Sequence, residues 1–142
     1  MKMMSKLLPV MLVWAVIILG FGFAANREKS DQNLDKGKAV FEKSCSLCHS
    51  YGPPPKTAPP MVGISQHYHE NFKDTDTDKA VAYMVEFIKN PSKEKSMLLP
   101  IGLEKWGLMP AMNLHDEDLR AAAYWTWQIY PTERRKGPMN KN

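Results

Sequence analysis

Cysteine is scarce in this 142-residue chain: there are two, Cys45 and Cys48. Two residues separate them, a spacing at which a plain structural disulfide is sterically awkward. Strict apolar–polar alternation is missing, as are internal repeats and low-complexity tracts, which leaves no basis for strands and points to an all-α class. An excess of charge is missing as well. Without Lys2 and Lys6 the chain carries 17 basic against 15 acidic side chains, too balanced for a nucleic-acid surface. The basic residues of the tail "TERRKGPMNKN" stand beside Gly137 and Pro138 and read as a solvated end. Asp74, Asp76 and Asp78 imitate a calcium loop, but Lys79 stands where glycine is required and Val85 where glutamate is required. That stretch reads instead as the acidic start of a helix.

Charge is absent altogether from Leu7 to Ala25, nineteen residues preceded by Lys2 and Lys6. A basic start, an apolar stretch and small residues such as Gly22 and Ala24 describe an export signal. The same run as a helix would span roughly 28 Å, close to the hydrocarbon thickness of a bilayer, which describes a retained anchor. Both readings stand, and both place residues 26–142 outside the cytoplasm. A domain of that size buries a modest core, which a large apolar cofactor would help to fill.

Periodicity favours helices along the rest of the chain. Ser30, Asp31 and Asn33 are capping candidates ahead of Leu34, Val40 and Phe41, predicting a first helix up to about Cys45. Five prolines between Pro53 and Pro60 predict loop. Residues 65–72, "SQHYHENF", read as a polar surface loop. Val81, Met84, Val85 and Ile88 recur at helical spacing in a helix that stops before Pro91. Residues 91–113 are interrupted by Pro100, Gly102, Gly107 and Pro110 and read mostly as loop. A last helix with acids in its first turn runs to Pro131.

The chemistry concentrates in Cys45-Ser46-Leu47-Cys48-His49. Zinc would need a second ligand pair, and His67 with His69 is spaced too tightly for the usual finger pattern. Thiol–disulfide exchange needs the first cysteine at a helix N-terminus in a βαβ setting, and these cysteines follow a helix. Covalent haem accounts for every residue. Sulfurs at i and i+3 share one side of a helical turn, where each can form a thioether with a vinyl group. His49, four residues after Cys45, falls on the same side as an iron ligand. Such attachment takes place outside the cytoplasm, in agreement with the N-terminal run.

From these residues the chain resembles the small single-haem class I cytochromes c of bacteria. "GKAVFEKSCSLCH" is similar to the family's first helix, with Gly37 and Phe41 in its G-x-x-x-F/Y pattern. "APPMVGI" is similar to its G-P-x-L-x-G-[IV] loop, with Ala58 for Gly and Met61 for Leu. "WGLMPAMNLHDEDLRAAAYW" resembles its Met-Pro ligand loop and last helix. The likeness covers about residues 33–130 and implies a cytochrome c fold. In it, three to four helices wrap one covalent haem c, with the N- and C-terminal helices packed through Gly37 and Trp125.

The resemblance also implies site residues. Met109 is the expected sixth ligand, with Met112 as the alternative and the remaining methionines as signal or gap-filling core residues. Pro59 is expected to accept a hydrogen bond from the other ring nitrogen of His49. Trp106 is expected to cover the haem edge or to reach a propionate with its N–H. His115 replaces the usual Ser or Thr before the last helix, where Asp116 is expected to cap instead.

The function implied is one-electron transfer between respiratory protein partners. The protein would be a monomer in the periplasm, either as a soluble shuttle or tethered through 7–25, with a haem subunit of a membrane respiratory complex as the alternative. Lys56 and the 99–112 loop would steer docking. A peroxidase or gas-binding haem would need an open iron, and no distal acid–base residue stands out near the ligand loop.

Overall fold

The computed structural model describes residues 30–130. The Leu7–Ala25 run and the basic tail lie outside them. Met1–Gln32 and Asn33–Asn142 form two compact units, and the second contains the cysteine motif. The described residues hold helices and no strand, as the missing alternation implies.

Helix α1 covers 30–45, α-helical to 40 and then widened over Phe41–Cys45, where the Ser46 N–H reaches back five residues to the Phe41 carbonyl at 2.9 Å. Wide turns of this kind occur mostly as single turns within α-helices, frequently at functional sites. Here it sits directly against the cysteine motif. Helix α2 is Met61–Asn71, α3 is Thr77–Lys89, α4 is Pro100–Trp106 and α5 is Asp116–Gln128. The last of these is the spine. It buries seven side chains, from Leu119 to Trp127, and packs on α3 and on α2.

Residues 65–72 are not a polar surface loop, because most of that stretch belongs to α2. The helix starts once Pro60, extended at ψ 144°, ends the proline run, and it buries Met61, Ser65 and Tyr68 along one side. Polar residues interleaved with that face hid its period. Residues 91–113 are mostly loop, as expected, and hold one short helix: Pro100 opens α4 at a position where its missing N–H costs nothing. With α2 and α4 added, the described residues hold five helices, not three to four. At the start of α5, His115 holds the cap position without a side-chain bond to the backbone, and Asp116 is already helical, paired with Lys89 at 2.8 Å. The cap expected of Asp116 is therefore not made.

His69 shows how burial departs from composition. Its side chain is 6% exposed, with Nδ1 3.0 Å from the Asp74 carboxylate and Nε2 2.9 Å from the Trp127 carbonyl. That carbonyl lies in the last turn of α5, where helix carbonyls lack intrahelical partners. The ring also stacks on Trp127 and Tyr130, with centroids 3.6 and 4.5 Å apart. It thus bolts the end of α2 to the end of α5.

The tightest crossing is between α1 and α5. A Cβ built on Gly37 would lie 2.2 Å from the Ala121 carbonyl oxygen and 2.5 Å from Trp125 Cβ. Phe41, one turn on, stacks on Trp125 with centroids 4.7 Å apart. Lys36 fixes the rim of the crossing by pairing with Glu117 and Asp118 at 2.8 and 3.0 Å.

The crossing and the bolt each have a stability signature, read by chemical denaturation with far-ultraviolet circular dichroism. Gly37→Ala is expected to cost about 1–3 kcal/mol or more through overpacking. Gly63→Ala, in α2 with nothing within 4 Å of its new Cβ, should gain roughly 0.5–1 kcal/mol. Equal effects at the two glycines would contradict the crossing. His69→Ala should cost about 1–3 kcal/mol by stranding the Trp127 carbonyl, and a loss within error would contradict the bolt.

Candidate functional site

Past the wide turn the chain tightens. The N–H groups of Cys48 and His49 both donate to the Cys45 carbonyl, at 3.1 and 3.0 Å. This single turn gathers Cys45, Cys48 and His49 on one wall of a cleft. Cys45 is half-buried and Cys48 is exposed. Burial raises the Cys45 thiol above its ordinary value, and the neighbouring Cys48 adds to the rise.

The proline loop is laced onto this turn. Ala58 N–H donates to the Cys48 carbonyl at 3.0 Å, Met61 N–H to Ser50 at 2.9 Å, and Val62 N–H to Tyr51 at 3.0 Å. The Lys56 ammonium donates to the Ser46 carbonyl. Prolines suit this loop because fixed φ angles limit its freedom and few N–H groups need partners. The lacing brings the Pro59 carbonyl to 2.7 Å from His49 Nδ1. A carbonyl only accepts, so Nδ1 carries the proton and Nε2 keeps a lone pair. Burial lowers the proton affinity of His49, and the Pro59 bond opposes part of that shift. The ring is therefore biased to neutral with Nε2 as its donor atom, the form in which imidazole binds metals.

The cleft is open to solvent and has a cavity volume of about 240 Å³. Trp106, Met109, Pro110 and Met112 line the same cleft. Trp106 is half-buried, and the Lys105 ammonium lies 4.5 Å from its ring centroid. Each sequence-derived site residue thus borders one space: Cys45, Cys48, His49, Pro59, Trp106, Met109 and Met112.

Other lining residues were not foreseen. Met61, Met84 and Met97 join Met109 and Met112, so every methionine among the described residues borders the cleft. Taken singly they look like gap fillers, and their spacing carries no signal. Polarizable thioethers adapt to an irregular apolar ligand surface. His67 also lines the cleft, with Nδ1 3.2 Å from a Glu70 carboxylate oxygen. His69 points to α5 instead, so the histidine pair does not join the cysteines. Among the described residues no three His, Cys, Asp or Glu side chains are grouped to hold a metal ion. Nor is any helix among them long and apolar enough to cross a membrane.

Comparison with known proteins adds little. No family model matches the chain, and no solved structure matches it. An uncharacterized protein of Aquifex aeolicus (strain VF5) is 29% identical over 120 aligned residues, which take in 70% of this chain and 78% of that protein.

The thiols differ in a testable way. In chain whose cysteines are unmodified, iodoacetamide should label Cys48 ahead of Cys45, because burial both shields Cys45 and reduces its thiolate fraction. Peptide mass spectrometry over a time course reads the order. Equal rates would contradict the turn.

Proposed function

We propose that this chain is a one-electron carrier with one covalently attached haem c, working outside the cytoplasm between redox protein partners. What carries this reading is the His49–Pro59 hydrogen bond of 2.7 Å at a cleft that Cys45, Cys48 and Met109 also line. A neutral, oriented imidazole, two thiols one helical turn apart and a soft thioether are together the donor set of a tethered, six-coordinate haem. When bound, the haem supplies an iron that alternates between ferric and ferrous states.

The protein's own residues would divide the remaining work. Cys45 and Cys48 would be the thioether tethers. Pro59 holds the His49 ring so that its Nε2 donor is fixed, which raises ligand basicity and limits reorganisation. The Met109 sulfur would also hold the iron and favour its reduced state, as would an apolar, methionine-rich wall. With His49 and Met109 both holding the iron, no place would be left for a substrate, which is why a carrier is favoured over an enzyme. Trp106 would cover the cofactor edge.

Electrons would pass during brief contacts over a small surface. Leu47, between the two cysteines, is 83% exposed, and Leu108 on the cleft rim is 42% exposed. Apolar side chains of this kind suit transient docking, with Lys56 and Lys105 nearby in sequence to steer by charge. The tethered version, a haem subunit of a respiratory complex, rests on Leu7–Ala25. Cell fractionation separates the two: haem protein confined to the membrane pellet rules out the soluble shuttle.

The visible spectrum of the oxidised protein tests the assignment. A weak far-red iron–sulfur band should be present in the parent, disappear in Met109→Ala and persist in Met112→Ala. A high-spin parent that binds carbon monoxide or peroxide rapidly would overturn the carrier reading in favour of an open-iron enzyme.

A further inference from the structure

The stretch that bears Met109 has little side-chain packing to hold it. Gly107, Leu108, Pro110 and Ala111 are all exposed, and Met109 alone among residues 107–111 is half-buried. We propose that two backbone posts, the Gly107 conformation and the Met112 N–H, hold 108–111 across the cleft and so place the Met109 sulfur. This rests on Met109 being the axial ligand of the bound haem.

The first post closes α4. Gly107 has φ 72° and ψ −175°, a backbone region that is essentially glycine's alone. Its N–H donates to the Leu103 carbonyl at 2.9 Å, which ties the turn to the helix. A Cβ at Gly107 would meet nothing within 4 Å, so glycine is required here by backbone conformation and not by space. The chain reverses out of α4 at this point and enters the loop.

The second post belongs to α3. Met112 N–H donates to the Ile88 carbonyl at 3.0 Å. Ile88 lies in the last turn of α3, where carbonyls have no helical partner, so the loop supplies the missing donor. Lys89, the next residue, reinforces the tie by pairing with Asp116 at 2.8 Å where the loop meets α5. Between the posts, Pro110 has a fixed φ and drives Met109 toward extended backbone. Four residues pinned at both ends, with a proline among them, have few alternative paths. The sulfur is thereby held in place by backbone geometry, and release of either post lets an outside ligand compete for its position.

The test uses ferric holoprotein with imidazole as the competing probe, following the far-red iron–sulfur band by stopped flow. Gly107→Ala should bind imidazole roughly tenfold faster than the parent, the size expected when glycine-only backbone strain is imposed. Met112→Pro, which removes the N–H, should behave likewise. Gly63→Ala, at an α2 glycine outside the cleft lining whose added Cβ meets nothing within 4 Å, should follow the parent. Should Met112→Pro fail to fold, Gly107→Ala with Gly63→Ala still decides the matter. Parent-like imidazole rates in Gly107→Ala, or equally faster binding in Gly63→Ala, would overturn the two posts while leaving the Met109 assignment intact. A parent that carries haem but lacks the far-red band would overturn the Met109 ligand reading itself, and the posts with it.

Discussion

The contact of Gly37 with the Ala121 carbonyl and Trp125 sets the rest of the molecule in place. A hydrogen at that one position lets two helix backbones approach until a Cβ would sit 2.2 Å from a carbonyl oxygen. Phe41 can then stack on Trp125, and the widened turn after it delivers Cys45 to the cleft. Because packed interiors do not deform smoothly, any separation of α1 from α5 would move the whole motif. The candidate site thus depends on a contact with no chemistry of its own.

Around that crossing, the site is assembled from segments that are weakly structured by themselves. The proline loop gains its shape from bonds to the Cys45–Tyr51 backbone, and in return orients His49 through Pro59. The 107–112 segment gains its shape from the ends of α3 and α4. In both cases a carbonyl finds its N–H donor in the neighbouring segment, which satisfies polar backbone and positions a side chain at once. The same device recurs on the far side, where His69 reaches the Trp127 carbonyl at the end of α5. Polar backbone at helix ends is thus the common attachment point for these loops and caps.

Some of this was legible in the sequence. The period of α3, its stop before Pro91 and the acidic opening of α5 are local signals, and those helices form where they indicate. The short spacing of Cys45, Cys48 and His49 marks a single turn whatever the surroundings. The α2 helix was hidden because Ser65, His67 and His69 break the apolar period, and α4 because its seven residues are bounded by Pro100 and Gly107.

By itself the sequence determined the helical class, the main helix ends and the close spacing of Cys45, Cys48 and His49, since each depends on residues a few positions apart. Only the tertiary structure decided that Met61, Met84, Met97, Met109 and Met112 border one cleft. It alone turned His67 toward that cleft and His69 toward α5, though two positions separate them. The reason is physical. Turn geometry and capping act over one or two helical turns, while burial and convergence depend on which helices cross and how closely. That closeness was decided at Gly37.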